Sequence, residues 1–278
     1  SYSGGSGIYA HSRQPGTLLK IENCYFHDGT GGYFIRSRNP RNLIRCNWFE
    51  GPYHSAVKII NELTWGGEAP DLRPMHTDIV GNVFDQGRSP GPKYDVLQLG
   101  AEGAETPGTE GDFHVAHNLF VMTAKNTVAL RVNGNVDRLR AFNNVFLGVG
   151  IGKYKLYERG PVWEDRRREA FKRKRAGNGE PIIEGANNWI SADALDVPGE
   201  FKDTIRGGNP KLVDPLKSDF RPRADSPLAG AGMQPLPSGQ IADLTPEFEP
   251  RRGIPADLKP TPRRKAAKPA VGPFETAK

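Results

Sequence analysis

Two groups of side chains in this 278-residue chain are of types that act on anionic or hydroxylated substrates. The first is cationic and aromatic: Tyr33, Arg36, Arg38, Arg41, Tyr53, His54 and Lys58, followed by Trp65. Guanidinium forks grip carboxylates, and an amine, imidazole or phenol beside them supplies a group that takes or gives a proton. The second is acidic: Glu62, Asp95, Glu102 and Glu105 fall on or beside two mid-chain loops. Paired carboxylates run inverting glycoside hydrolysis. Glu62, Asp95 and Glu102, with backbone carbonyls, are also of the kind that holds Ca²⁺. The structural alternatives are an exposed strand face for the cations and scattered surface charge for the acids. No triad partner is identifiable for the histidines. His114 and His117, three apart within a strand, point to opposite faces and cannot share a metal, so both read as structural.

The elements that position these residues follow from composition and repetition. Gly 33 and Pro 24 are high for a helical protein, while 36% apolar residues are too many for a disordered one, so many short strands joined by turns are expected. No apolar run of membrane-spanning length exists. The net charge of +6 is unevenly placed: residues 151–180 carry +5 and residues 245–278 carry +4, leaving the other 214 at −3. A body with that balance is not a general polyanion sink, and no specific nucleic-acid partner is expected. The chain opens at Ser1, and Ser1–Gly7 lacks the features of a signal peptide, so it reads as a processed product or a fragment.

Six times a strand-like run ends in a small polar residue, an apolar one, and then a ring or Ile. The copies are Cys24-Tyr25-Phe26, Asn47-Trp48-Phe49, Asn82-Val83-Phe84, Asn118-Leu119-Phe120, Asn144-Val145-Phe146 and Asn188-Trp189-Ile190. Ile21, Ile44, Ile79 and Val115 stand five positions ahead of the ring, and Asn23, Asn143 and Asn187 precede three of the triplets. In a parallel β-helix each coil lies over the last at the strand spacing of about 4.8 Å, so equivalent residues stack. Stacked Asn side chains satisfy one another at the bend and tolerate its left-handed conformation, while stacked Phe and Ile fill the interior. The expected fold is therefore all-β: a single-stranded right-handed parallel β-helix over residues 1–232. Cys24 falls in the Asn47 column and Cys46 one residue earlier, facing the other way, so two buried free thiols are expected.

Ring-to-ring spacings of 23, 35, 36, 26 and 44 residues give two plain coils and three that carry loops, at Glu62–Met75 with Gly87–Pro92, at Gly100–Gly111, and at Gly152–Glu180. Within residues 151–180, Pro161, Glu164, Asp165, Arg166–Arg175 and Gly177 order their charges as a helix dipole prefers, predicting one inserted basic helix. Asn209–Gly232 reads as the closing turn of the solenoid. Residues 233–278 form an extended, Pro-rich, basic C-terminal tail that composition alone would leave disordered unless it is pinned to the solenoid or a partner.

Gly32-Tyr33-Phe34-Ile35-Arg36-Ser37-Arg38, followed by Asn42-Leu43-Ile44, resembles the Gly-His-x-Ile-Lys-Ser-Arg segment of bacterial right-handed parallel β-helix repeat proteins in the pectate-lyase-like superfamily. Trp65-Gly66-Gly67, Gly81–Gly87, Leu99–Gly103 and Asp225–Gly232 extend the likeness, which runs from about Gly7 to Gly232. It speaks to fold more than to activity. In the chondroitinase-B and alginate-lyase-like branch, a Lys before Ser acts as base and an Arg on the next coil assists. Here Arg36 takes the Lys position and Tyr33 the His position, while Lys58, 22 residues on, falls on the next rung. A guanidinium is a poor proton acceptor. What the resemblance implies is thus a β-elimination site whose base is Lys58, His54 or Tyr33, with Arg36 and Arg38 holding the uronate carboxylate.

Three readings follow: a secreted or periplasmic polysaccharide lyase or related epimerase; a module that binds an acidic polysaccharide on Tyr33, Tyr53 and Trp65 without turnover; or a structural subunit. The last would self-associate or dock through the basic 151–180 helix and the tail, because open β-helix ends expose strand edges.

Overall fold

The computed structural model describes residues 5–60, 75–87, 95–100, 111–125, 127–132, 136–159, 182–253 and 259–277. Seven successive coils, each of three strands, make up the body. They are β1–β3 (Ile8–His11, Leu18–Glu22, Tyr25–Phe26), β4–β6 (Tyr33–Arg38, Arg41–Arg45, Trp48–Glu50) and β7–β9 (Ser55–Ile59, His76–Val80, Val83–Asp85). Next come β10–β12 (Asp95–Leu99, Asp112–Ala116, Leu119–Met122) and β13–β15 (Val128–Val132, Arg138–Phe142, Val145–Gly148). The last two are β16–β18 (Tyr154–Arg159, Ile182–Ala186, Trp189–Ser191) and β19–β21 (Ala194–Leu195, Phe201–Lys202, Ile205–Gly207). First, second and third strands of every coil pair in parallel into three seven-stranded sheets, here called A, B and C. This is a parallel β-helix.

The repeat is the reason. Asn47, Asn82, Asn118, Asn144 and Asn188 are buried and form a ladder in which each Oδ1 accepts from the backbone N–H of the preceding copy, at 2.9–3.0 Å. From Asn47 to Asn144, each Nδ2 also donates to the Oδ1 of the next copy, at 2.9–3.1 Å. The other Nδ2 hydrogen reaches a strand carbonyl of the preceding coil, such as Ile44 or Ile79. The bend itself falls one residue earlier than the ladder. Asn23, Cys46, Gly81, His117, Asn143 and Asn187 all have φ between 53° and 66°. The side chain that stacks and the backbone that turns are thus supplied by neighbouring residues, which explains the paired asparagines. Inside, Phe26, Phe49, Phe84, Phe120 and Phe146 stack face to face with centroids 4.7–5.1 Å apart. Ile190 continues their file. Cys24 is exposed, Cys46 buried, and both are free.

The described part of the expected helical insertion at 151–180 contains a strand instead. Tyr154–Arg159 is the sheet-A strand of the sixth coil, paired to Val128–Val132 and Ala194–Leu195. Its alternation of buried Tyr154 and Leu156 with exposed Lys155 is a strand period that the surrounding basic charge obscured. Among the described residues there is no α-helix, and the predicted basic helix Pro161–Arg175 lies outside them. No helix among the described residues is long and apolar enough to cross a membrane.

Sheet C has an apolar outer face as well as an apolar inner one: Trp48, Val83, Leu119, Val145 and Trp189 occupy one register column. Such a surface needs cover. Asn209–Gly232 folds back along it, with Leu212, Phe220 and Leu228 packed there, and Phe220 stacks on Trp48 at 5.6 Å. The tail adds Val271 and Phe274 to the same cluster. It is anchored further by Asp78, whose Oδ2 accepts from the Ile241 and Ala242 amides at 2.7 and 3.0 Å. A buried Arg263–Glu275 ion pair at 2.7 Å closes the tail on itself. Composition alone would leave this segment unfolded, but the uncovered column gives it a surface to bury.

Candidate functional site

One register column runs along sheet A through Tyr9, Arg36, Lys58, Gln98, Arg131 and Glu158. Each stands at the centre of a short run flanked by mostly apolar core residues: Ile35-Arg36-Ser37, Val57-Lys58-Ile59, Leu97-Gln98-Leu99, Leu130-Arg131-Val132. Arg36 and Lys58 are therefore direct lateral partners, as their 22-residue spacing predicted. Beside the column lies a cleft of about 1230 Å³. Its walls are the 25–34 segment, with Tyr25, His27 and Tyr33, and Tyr53 and His54 from the next coil; Arg36, Asp95 and Arg131 also line it.

The polar contacts differentiate these groups. Lys58 is buried, and its Nζ donates to the Tyr33 hydroxyl at 3.3 Å while lying 5.1 Å from that ring's centroid. Tyr33 in turn packs edge-on against His54, centroids 5.1 Å apart. Arg36 lies 5.3 Å from the Tyr9 ring, and its buried Nε has no hydrogen-bond partner among the described residues. Arg131 donates to Asp95 Oδ1 at 2.8 Å and reaches Glu158 at 3.1 Å. Gln98, wholly buried between Lys58 and Arg131 in the column, has no hydrogen-bond partner for either amide atom among the described residues. Buried polar atoms without a partner are uncommon in protein interiors, and this column carries three of them, on Arg36 and Gln98; others lie elsewhere, on Trp48, His76, Arg138, Trp189 and Arg263.

Of the residues singled out from sequence, Tyr33, Arg36, Tyr53, His54 and Asp95 line the cleft, and Lys58 supports it from behind Tyr33. Arg38 does not join them: it is almost wholly buried and donates from Nε to the Tyr9 hydroxyl at 2.9 Å. Trp65, Glu62, Glu102 and Glu105 lie outside the described residues. Arg131, Gln98, Tyr9, Tyr25 and His27 were not anticipated. For the first three the signal was present, since aligning the coils on their apolar triplets places them in the Arg36 column.

Of the expected Ca²⁺ ligands only Asp95 is described, and its carboxylate is paired with the Arg131 guanidinium; Glu62 and Glu102 lie outside the described residues.

At the outer wall, Tyr25 donates to Glu50 Oε2 at 2.7 Å, and Arg252 of the tail grips both oxygens of Glu50 at 2.6 Å. Arg252 holds the Glu50 carboxyl below the usual carboxylate range, against the smaller effect of burial. Burial, then the hydrogen bond to Glu50, pushes the Tyr25 phenol up to about 12. His114 and His117 are both buried. His114 donates from Nδ1 to Asp78 Oδ1 at 2.9 Å, and His117 lies beyond the strand, at a bend.

Fold and site together define a parallel β-helix protein with a cationic, aromatic cleft lined by residues of sheet A and of the first strand of sheet C. Compared with models of protein families, with curated proteins and with solved structures, the chain finds no match.

Proposed function

We propose that the cleft binds an acidic polysaccharide and cleaves it by β-elimination next to a uronate. The single observation that carries this reading is the Arg36–Lys58–Tyr33–His54 cluster: adjacent-rung cations, one of them touching a phenol that packs on an imidazole. In the proposed reaction the Arg36 guanidinium takes the uronate carboxylate and neutralises charge that grows as C5 loses its proton. Tyr33, ionised to its phenolate, accepts that proton on its oxygen and becomes the neutral phenol. The Lys58 ammonium behind it stabilises negative charge on the phenol oxygen. The C5–H electrons form the C4–C5 double bond, the C4–oxygen bond breaks, and the departing oxygen takes a proton from His54 in its imidazolium form. No step is routed through Ca²⁺. The likeness of Gly32–Arg38 and the coil repeats to the pectate-lyase-like superfamily supports this reading, and so a secreted or periplasmic setting.

The test is incubation with alginate, pectate and chondroitin sulfate, with and without Ca²⁺, following the ultraviolet absorbance of the unsaturated product. Activity is expected, abolished by Tyr33→Phe and strongly slowed by Lys58→Met. No product from any of the three polymers refutes the elimination. A second reading, binding without turnover, is favoured by the arginine at position 36, which cannot act as a base. It predicts retention of these polymers on immobilised protein with no product formed.

A further inference from the structure

The wall of the cleft formed by Tyr25 and His27 is not held by the solenoid alone. Their rings stack at 4.6 Å and 18°, and His27 Nδ1 lies 2.8 Å from Asp28 Oδ2. From there the chain passes to Gly29, whose N–H donates to Gly51 O at 3.2 Å. A Cβ at Gly29 would stand 2.8 Å from the Tyr53 nitrogen, so the loop is seated directly on the next coil. At the other end of this wall the tie is ionic. Tyr25 is fixed through Glu50, and Glu50 by a two-pronged contact with Arg252, 202 residues away in sequence. Arg252 belongs to the tail, which is tied to the solenoid before it by the Asp78 contacts to Ile241 and Ala242 and by Leu244 packed on Val80 and Ala116, and after it by Val271 and Phe274 on sheet C.

We propose that Arg252 is a positioning residue for the cleft, so that docking of the C-terminal tail sets the order of the binding wall. This rests on the cleft being a polysaccharide site, but the positioning itself does not. A carboxylate clamped by a planar fork has one orientation; without the fork it swings, and the Tyr25 hydroxyl and the His27 stacked on its ring follow it. The coupling runs through contiguous contacts from tail to Glu50, to Tyr25, to His27 and into the cleft, each within bonding or stacking distance. A ligand that needs this wall ordered therefore also favours the docked tail, by the same factor.

The experiment uses the whole chain and the variants Arg252→Gln and Arg252→Lys. Amide hydrogen exchange, read by mass spectrometry without ligand, should be about tenfold faster over Tyr25–Tyr33 in Arg252→Gln. Ile79–Phe84 in the ladder should remain as in the parent, and Arg252→Lys should fall between, since an ammonium makes one contact where the fork makes two. Unchanged exchange over Tyr25–Tyr33, or acceleration throughout the chain, overturns the proposal. In a second arm, alginate, pectate and chondroitin sulfate oligosaccharides are titrated. A several-fold rise in KM or Kd with kcat unaltered supports the wall as part of the site; faster exchange with unaltered affinity refutes that part. Because the first arm needs no ligand, its outcome stands whether or not elimination is observed.

Discussion

His117 provides a direct test of how the tail is bound. Its imidazole is fully buried between the solenoid bend and the tail, with Nδ1 donating to Gly272 O at 3.1 Å and Nε2 accepting from Asn143 Nδ2 at 3.1 Å. That arrangement admits only the neutral ring. A proton on Nε2 would face the Asn143 amide donor, in a site already next to Arg263. Burial, reinforced by the Arg263 charge, depresses the imidazole from an ordinary 6.5 to about 3. Between those values the unfolded chain holds a proton that the folded one refuses. This contribution is therefore fully present above pH 6.5 and is lost as pH falls towards 3. The loss works out at about 2 kcal/mol at pH 5 and about 3 kcal/mol at pH 4. Glu249 and Glu275, raised mainly by burial, act in the opposite sense, so total stability against pH is not diagnostic by itself. The comparison with His117→Asn is. Asparagine occupies the equivalent bend at Asn143 and Asn187 and accepts the φ of 54° seen at His117, while leaving both glutamates in place. Urea unfolding followed by tryptophan fluorescence at pH 8 and pH 5 should show the parent losing about 2 kcal/mol more than the variant on acidification. Parallel losses in the two proteins would refute the burial of a neutral His117 beneath the tail.

Three further outcomes are expected. Asn118→Ala removes the acceptor of the Asn82 amide and side chain and the donor to Ile79 O. Three buried groups are orphaned, which should cost about 3–5 kcal/mol in equilibrium unfolding. Phe120→Ala opens the ring file between Phe84 and Phe146, stacked at 5.1 and 4.7 Å; a loss of about 3–5 kcal/mol is expected by the same measurement, and Phe120→Leu should cost less. Asp78→Ala deletes the acceptor for the Ile241 and Ala242 amides and leaves buried His114 without its carboxylate. Limited trypsin digestion should then cut in the tail, at Arg251 or Arg252, at least several-fold sooner than in the parent.

Particular residues show how far the sequence could be read. The Asn47–Asn188 ladder and the Phe26–Phe146 file were legible because a solenoid converts repetition along the chain into contact across it. The Arg36–Lys58 pairing followed from one coil length. Arg131 and Gln98 were equally accessible by that logic, but loops of unequal length between coils hid their register. The strand Tyr154–Arg159 is hidden in the sequence because its charged neighbours outweigh a short period-two pattern. Arg38, two residues beyond Arg36, belongs with the cations by composition, yet it is buried against Tyr9.

Repeat, columns, interior and the placing of two cations on neighbouring rungs were determined by the sequence alone, since each depends only on spacing and on the fixed distance between parallel strands. Tertiary structure decided which cations face the cleft, that Lys58 stands behind Tyr33, and that the tail lies on sheet C with Arg252 gripping Glu50. These depend on contacts between segments up to about two hundred residues apart, where no periodicity relates one to the other. Such contacts are selected by which apolar surface remains uncovered once the coils have stacked, and that surface exists only in the folded chain.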